Sequence, residues 1–311
     1  MAGSTEHAVE LITDYEHTGR LSVLQEAVAE FRAVLAATKA DHPDRPARLS
    51  NVLLALRMLA DRTGQTADLE QIADVSRQLA EDPRCDHRDR LFALFCQVEA
   101  LQALAERTGQ QSALPALVAA TRQLAAGIPA GDLDRVAVLC NLGAALLNLY
   151  ERTGRTEVIQ EAVQVGRQAA AAAAPDLPDR PIILSNLGAA LRALHECTGA
   201  VAILEEAVTA GRQAVADTPE GHPNRAGYLS NLGAALRALG GRTGQTDQLE
   251  QAVTIGRLAV SASRADDPDR AKALCELATS LRTLAGRTGR NEQLDEAVTI
   301  ARRAAAVRTL G

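Results

Sequence analysis

The stretch PDRPIILSNLGAALRALHECTG, residues 178–199, contains the features that decide the fold of this chain. Its closing Thr-Gly pair recurs every 45 residues along the 311-residue sequence, at Thr18, Thr63, Thr108, Thr153, Thr198, Thr243 and Thr288. Arginine and leucine positions recur in the same register without an insertion or a deletion. A self-similarity with this period is typical of a repeat array, in which each unit stacks on its neighbours.

Each unit is predicted to form two helices that meet at the Thr-Gly pair. In the copy quoted above, Asp179 can cap the first helix, Pro181 suits its first turn, and Gly199 suits the left-handed residue that closes it. The second helix is expected to begin near Val201 and to stop before Pro219. Its start carries a plausible N-cap residue in four sister copies: Thr66, Thr156, Thr246 and Asn291.

The two helices have different apolar faces. On the first helix, four leucines fall within an arc of about 80° and predict a core stripe: Leu184, Leu187, Leu191 and Leu194. The opposite arc is predicted to be unnecessary for the core, and it holds Ile182, Ser185, Asn186, Ala189, Arg192 and Ala193. On the second helix, an i, i+3, i+4, i+7 pattern predicts a buried stripe of Leu204, Ala207, Val208 and Gly211, with the polar side facing solvent.

Composition supports an all-α class, because aromatic residues are 2% of the chain and Ala and Leu dominate. A net charge of −6 without a basic block argues against nucleic acid as a partner. The five cysteines lack CxxC spacing, so we expect reduced thiols, no metal site and no cofactor. We see neither a signal sequence nor an apolar run near the roughly 20 residues of a membrane span, and we expect a cytoplasmic protein without membrane contact.

The helical pair with Asn186-Leu187-Gly188, Leu191 and Ala207 resembles the tetratricopeptide repeat family, although the unit is 45 residues long instead of about 34. The resemblance covers the whole chain. It implies an all-α, right-handed superhelical α-solenoid of seven helical hairpins. We expect these hairpins to form a single domain over residues 1–311, with approximate bounds 1–40, 41–85, 86–130, 131–175, 176–220, 221–265 and 266–311.

A narrower likeness is carried by ERTGRT (151–156), EAVQVGRQA (161–169) and LPDRPIILSNLGAAL (177–191). These segments resemble the long tetratricopeptide repeats of actinobacterial proteins, which often stand beside a CHAT protease-like domain. Helical repeats fill the present chain and leave no region for such a domain. In a protein of that kind, the chain would be the repeat portion.

The resemblance implies a ligand site on the concave surface lined by the first helices. In this family, asparagines directly before the Leu-Gly pair commonly hold the backbone of a bound peptide. They map to Asn51, Asn141, Asn186 and Asn231, with Cys96 and Glu276 as departures. The alternative is that these asparagines bond to neighbouring helices.

Two further groups border the same arc. Arg57, Arg192, Arg237 and Arg282 recur at its margin, where they could make the groove cationic and favour a carboxylate or an acidic peptide. They could equally be surface residues or pair with nearby acids. Phe92 and Phe95 replace the small residues of other copies, and they form either an anchor pocket or a local repacking against Phe31 or a neighbouring helix.

These residues predict a non-catalytic scaffold that binds a protein or peptide segment. The alternative is an enzyme or small-molecule sensor that uses the groove as a pocket, although no nucleophile–base pair, phosphate loop or metal cluster is apparent. A third hypothesis is self-association. The last helix carries an apolar stripe for which we expect a cover, either a homodimer contact or a downstream domain: Ala297, Val298, Ala301, Ala304 and Ala305.

Overall fold

The computed structural model describes residues 4–108, 113–264 and 269–308, and within these ranges the regular structure is helical, without a strand. The described helices form seven consecutive hairpins, as predicted, which confirms the all-α repeat fold. Their bounds are α1 (Thr5–Thr18), α2 (Leu21–Ala36), α3 (Arg45–Thr63), α4 (Thr66–Glu81), α5 (His87–Thr108), α6 (Leu114–Gly127), α7 (Leu133–Thr153), α8 (Thr156–Ala172), α9 (Arg180–Thr198), α10 (Val201–Ala216), α11 (Arg225–Thr243), α12 (Thr246–Ala262), α13 (Asp269–Thr288) and α14 (Asn291–Arg308).

The chain divides into two compact units, Met1–Val138 and Leu139–Gly311. In the first unit, one core cluster runs through α1 to α5 and includes Leu24, Leu53 and Leu79. In the second unit, successive hairpins share their cores. The single domain and the right-handed superhelix stay predictions.

The Thr-Gly turns have the predicted left-handed glycine. Six of these glycines have φ between 62° and 78°, and the seventh, Gly109, lies outside the described residues. The threonine serves both sides of the turn. The Thr198 hydroxyl donates to the Leu194 carbonyl at 3.0 Å and accepts from the Ala200 N–H at 3.4 Å. It therefore satisfies one of the carbonyls that a helix end leaves unpaired, and it also orders the turn.

The predicted N-caps of the second helices are wrong by one position. Thr66, Thr156 and Thr246 are the first helical residues, and the capping position is held by Gln65, Arg155 and Gln245 without a side-chain cap bond. The Thr-Gly turn already fixes the direction of the chain before α4, α8 and α12. These helices therefore begin without a capping side chain from Asp, Asn, Ser or Thr. Asp179 does occupy the N-cap position of α9, although its side chain makes no capping bond.

Both predicted core stripes are confirmed. Leu184, Leu187, Leu191 and Leu194 are buried on α9, and Leu204, Ala207, Val208 and Gly211 are buried on α10. Glycine permits the close approach of consecutive hairpins. A Cβ placed on Gly211 would stand 3.1 Å from Leu232 Cδ1 of α11, and a Cβ placed on Gly256 would stand 3.1 Å from Leu277 Cδ1 of α13.

The arc opposite the leucines is less free than predicted. Ser185 and Ala193 of α9 are buried, with exposed fractions of 3% and 5%. The cause is direct packing between first helices, because α11 contacts both α9 and α13. Part of this arc therefore belongs to the contact between hairpins and is unavailable to a ligand.

Side chains on the outer faces of the second helices link neighbouring hairpins. Arg167 makes a two-point ion pair with Glu206, and Arg257 pairs with both carboxylate oxygens of Glu296. At the intervening contact the acceptor is neutral, and Arg212 donates to Gln251 at 2.8 Å. Each of these bonds joins residues 39 positions apart, which lie in consecutive repeats. The face that the sequence predicts to be solvated therefore also carries bonds between repeats.

Arginines at the start of the first helices hold the end of the preceding second helix. Arg225 Nη1 donates to the carbonyl oxygen of Val215 at 2.8 Å and also to that of Thr218. Four other copies of this arginine also donate to carbonyls at or just after the end of the preceding helix: Arg45, Arg90, Arg135 and Arg270. This contact explains the arginine in five of the six copies, and the sixth copy, Arg180, pairs with Asp217.

Replacing Arg225 with alanine is expected to lower the free energy of unfolding by about 1.5 kcal/mol, because two partly buried carbonyls lose a charged donor. Chemical denaturation followed by circular dichroism measures the change. The control is Arg155→Ala, since the Arg155 side chain is 67% exposed and pairs only loosely with Glu157. We expect the control to change stability by less than about 0.5 kcal/mol. Equal effects of the two substitutions would contradict the capping role.

Helix α7 is the one element of the described ranges that is long and apolar enough, by length and composition alone, to cross a membrane. Its mean hydropathy reaches 1.2. A core helix of a soluble protein passes the same criterion, and α7 is the first helix of its hairpin. The expectation of no membrane contact stays a prediction.

Candidate functional site

Three of the predicted site residues meet in the first unit, between α3 and α5. The guanidinium of Arg57 on α3 lies 5.7 Å from the ring centre of Phe92 and 5.9 Å from that of Phe95, both on α5. These distances fall within the range of cation–π attraction. The sequence placed the three residues on one arc, and packing of consecutive first helices brings them together.

Two more residues of α5 hold the arginine. Arg57 Nη2 stands 3.1 Å from a carboxylate oxygen of Glu99, and Nη1 donates to Cys96 Sγ at 3.3 Å. Burial raises the pKa of the Cys96 thiol to about 11, and the nearby Arg57 opposes this shift without cancelling it. Cys96 is therefore a neutral acceptor. The guanidinium has five N–H groups, so these two contacts leave donors for a further acceptor.

The two phenylalanines have different surroundings. Phe92 is partly buried against the core cluster that contains Phe31, whereas Phe95 is 44% exposed. Leu54, on the same face of α3 as Arg57, is 49% exposed. Phe92 thus packs inward and Phe95 faces solvent, and a role of the pair as an anchor pocket stays a prediction. We call Leu54, Arg57, Phe92, Phe95 and Glu99 the α3–α5 patch.

Two of the asparagines of the second unit, Asn186 and Asn231, bond to neighbouring helices. Asn231 Nδ2 donates to Ser185 Oγ at 2.9 Å, and Asn186 Nδ2 contacts Cys140 Sγ at 3.6 Å. Each contact joins one first helix to the preceding first helix, and neither uses the amide oxygen. Asn51 is half-buried on α3, and Asn141 is exposed on α7. A role in holding a peptide backbone stays a prediction for all four.

The arginines of the second unit do not combine into a cationic groove. Arg192 pairs with Glu196 one turn along α9 at 2.7 Å, and Arg237 pairs with Glu276 of α13 at 2.7 Å. Arg282 is exposed on α13. Acids four residues later or in the next repeat thus neutralise two of these charges. An acidic ligand for this face stays a prediction.

Sequence reasoning did not place Leu54 or Glu99 among the candidate site residues, although it counted Glu99 as an acid that weakens the cationic field of the groove. Both stand three residues after the asparagine position of their repeats. An alignment of the repeats at this position would have shown a leucine in one repeat and a glutamate in the repeat that contains Phe92 and Phe95. Within the ranges that the structure describes, no group of three or more His, Cys, Asp or Glu side chains could hold a metal ion.

Brief alkylation near neutral pH is expected to label Cys197 and Cys275, which are exposed, and to spare Cys96, which is 1% exposed. The reason is that the reaction needs an accessible thiolate, and the raised pKa keeps Cys96 protonated. Peptide mass spectrometry after quenching reads out each position. Labelling of Cys96 as fast as Cys275 would mean that α3 and α5 do not pack as described.

Comparisons with known proteins agree with the repeat architecture. Residues 183–224, which include most of α9 and all of α10, match the family model described as tetratricopeptide repeat. A search of curated proteins finds no match. The family match supports the tetratricopeptide resemblance for this segment, and the closer likeness to CHAT-associated actinobacterial repeats stays a prediction.

Solved structures with similar helical repeats were also found. The Podosopora anserina putative kinesin light chain with nearly identical TPR-like repeats is 20% identical, over 78% of this chain and 96% of that chain, with a TM-score of 0.43. BtubC (BKLC) from P. vanneervenii is 15% identical, over 79% of this chain and 90% of that chain, with a TM-score of 0.45. The TPR2AB domain of yeast Sti1 in its pHSP90 complex is 15% identical, over 97% and 100%, with a TM-score of 0.28.

Proposed function

We propose that this chain is a non-catalytic, cytoplasmic scaffold that binds a peptide or protein segment on the first-helix face of its hairpins. The α3–α5 patch is the proposed recognition site. The observation that carries this proposal is the exposed ring of Phe95 next to the guanidinium of Arg57, with the exposed side chain of Leu54 one turn before Arg57 on α3. Exposed aromatic and arginine side chains in one cluster are enriched in binding hot spots.

The patch favours a ligand that carries an apolar side chain next to a carboxylate. The apolar side chain would cover Phe95 and Leu54, and the carboxylate would accept from the unused N–H groups of Arg57. Glu99 competes for this arginine, because its carboxylate is already 3.1 Å from Nη2. Glu99 is half-exposed and can turn away when a ligand carboxylate arrives, which makes it a modulator of affinity.

Peptide selection tests the proposal. Peptides enriched from a random library on the immobilised chain are synthesised, and their dissociation constants are measured by fluorescence anisotropy. Phe95→Ala is expected to weaken binding by about tenfold or more. The control is Leu258→Ala, which removes a comparably exposed side chain, 49%, from α12 in the other unit. We expect the control to bind within about twofold of wild type.

Replacement of Glu99 gives a second readout that is specific for the arginine. Glu99→Gln removes the competing charge, so carboxylate-bearing peptides should bind a few-fold more tightly while their amidated versions do not change. If no peptide is enriched, or if Phe95→Ala and Leu258→Ala bind equally well, the α3–α5 patch is not the recognition site.

A further inference from the structure

Two equivalent grooves lie on the second-helix side of the hairpins, one in each compact unit, and we call them the outer grooves. The groove of the first unit has a volume of about 530 Å³ and is lined by α2, α3 and α4. The groove of the second unit has a volume of about 470 Å³ and is lined by α10, α11 and α12. Six lining positions coincide when the repeats are superimposed: Arg32, Val52, Glu70, Gln71, Asp74 and Val75 correspond to Arg212, Leu232, Glu250, Gln251, Thr254 and Ile255.

A short sequence motif marks both outer grooves. Leu-Glu-Gln stands at 69–71 and at 249–251, and nowhere else in the chain. The glutamate and the glutamine of this motif line the groove in each unit. The other five repeats have a different residue at the glutamine position: Glu26, Ala116, Glu161, Glu206 and Glu296. The glutamine therefore distinguishes the two hairpin junctions that carry the outer grooves.

The glutamine leaves the arginine of each outer groove without a counter-charge. Where glutamate takes its place, as in the Arg167–Glu206 contact, the arginine makes an ion pair. Arg212 instead donates to the neutral Gln251 side chain at 2.8 Å. Arg32 makes no hydrogen bond or ion pair with the residues that the structure describes. Both guanidinium groups thus keep their full charge and unused N–H donors.

Each outer groove also presents a carboxylate that the groove arginine does not use. Within the described ranges Glu70 has no hydrogen-bonding or ionic partner, and Glu250 approaches Arg290 only to 4.0 Å. Asp74 is already held by Arg77 and Gln78, and its counterpart Thr254 is neutral. Asp247 adds a second acid to the lining of the second groove.

The floor of both outer grooves is apolar. Val52 and Leu232 are buried, with exposed fractions of 1% and 3%, and Val75 and Ile255 are half-buried beside the polar lining. A ligand side chain that covers this floor removes apolar surface from water, and the two charged groups next to it define what must flank that side chain.

We propose that each outer groove binds a segment of a partner protein in which an apolar side chain is flanked by an acidic and a basic residue. The apolar side chain would cover the floor, the acid would accept from the groove arginine, and the base would pair with the glutamate of the Leu-Glu-Gln motif. A free small molecule fits less well, because Arg32, Glu70, Arg212 and Glu250 are all exposed and such a ligand would stay largely in water. These sites are separate from the α3–α5 patch and do not depend on the proposed function.

The repeat array itself indicates how to close an outer groove without disturbing the fold. Gln71→Glu reproduces in the first groove the glutamate that pairs with arginine in the Arg167–Glu206 contact. We expect the new carboxylate to pair with Arg32, so that the acid of the ligand loses its partner. Gln251→Glu does the same in the second groove. Because a surface ion pair contributes little to stability, both variants should unfold at the same urea concentration as the parent chain.

The test uses the full chain with Phe95→Ala in all samples, which removes the α3–α5 patch from the experiment. A random peptide library displayed on phage is first depleted on the variant with both Gln71→Glu and Gln251→Glu, and is then selected on the chain without them. The enriched peptides are expected to share the acidic–apolar–basic pattern. Isothermal titration calorimetry with one synthesised peptide should give two sites per chain, one site after either glutamate substitution, and at least about tenfold weaker binding after both.

The matched control is Gln168→Glu, which makes the same chemical change at an exposed position of α8 outside both outer grooves. It should leave the affinity within about twofold of the parent chain. Failure to enrich any peptide, or binding that survives both groove substitutions, would overturn the proposal. Loss of all binding after one of the two substitutions would show that the grooves are not equivalent. Light scattering that finds a dimer of the free chain, dissociated by the two glutamates, would make a second copy the occupant in place of a partner protein.

Discussion

Leu236→Ala is expected to lower the free energy of unfolding of the second unit by about 3 kcal/mol. Leu236 lies at the centre of the leucine stripe of α11 and is 1% exposed, and its counterparts Leu191 and Leu281 are equally enclosed. Removal of its side chain leaves a cavity on the side of α11 that faces its hairpin partner α12. Urea denaturation followed by far-UV circular dichroism measures the change.

The matched control for this substitution is Leu258→Ala. The same atoms are removed, but Leu258 is 49% exposed on α12, so we expect a loss below about 0.5 kcal/mol. Because the chain contains two compact units, the transition assigned to the second unit is the one to compare. A loss for Leu236→Ala no larger than that of the control would show that the stripe is not the core.

Gly211→Val is expected to destabilise the second unit by about 2 kcal/mol through overpacking. Even a Cβ at this position would approach Leu232 Cδ1 to 3.1 Å and its Cα to 3.4 Å. Two further methyl groups would push α10 away from α11. Differential scanning calorimetry should show a lower midpoint for this variant.

The control for Gly211→Val is a glycine with open space around it. A Cβ on Gly227 of α11 would meet no atom within 4 Å, so Gly227→Ala should raise stability by about 0.5 kcal/mol through helix propensity alone. If Gly211→Val behaves like Gly227→Ala, the close approach of consecutive hairpins at this glycine is wrong.

The repeat period made most of the fold predictable. In the six copies whose turn glycine the structure describes, the Thr-Gly pair ends the first helix at the expected place, since a left-handed residue is a strong local signal. The N-caps could not be predicted, because a two-residue turn already fixes where the second helix starts and no capping side chain is needed. Burial of Ser185 and Ala193 was also missed, because one helical wheel shows the partner within a hairpin and not the contact with the next hairpin.

The candidate site was predictable only in part. The exceptional residues Phe92 and Phe95 pointed to the face that carries the proposed α3–α5 patch, and the repeat register placed Arg57 on the same arc. The role of the asparagines was harder to predict, because a side-chain amide can hydrogen-bond to a ligand backbone or to a neighbouring hydroxyl equally well. Asn231 donates to the Ser185 hydroxyl. The charge of the groove depended on ion pairs such as Arg237–Glu276, which join residues 39 positions apart and are invisible to a reading of one repeat.

The bonds that link neighbouring hairpins have a mechanical consequence. Among the described residues, these side-chain bonds join positions no more than 47 apart, as in the Arg167–Glu206, Arg107–Gly64 and Tyr150–Cys197 contacts. Because these links join residues close in sequence, we expect the chain under tension to unfold one hairpin at a time. Each 45-residue step would release roughly 150 Å of contour length. An optical-tweezers record with regular steps of this size is expected, and a single rupture of a whole unit would contradict it.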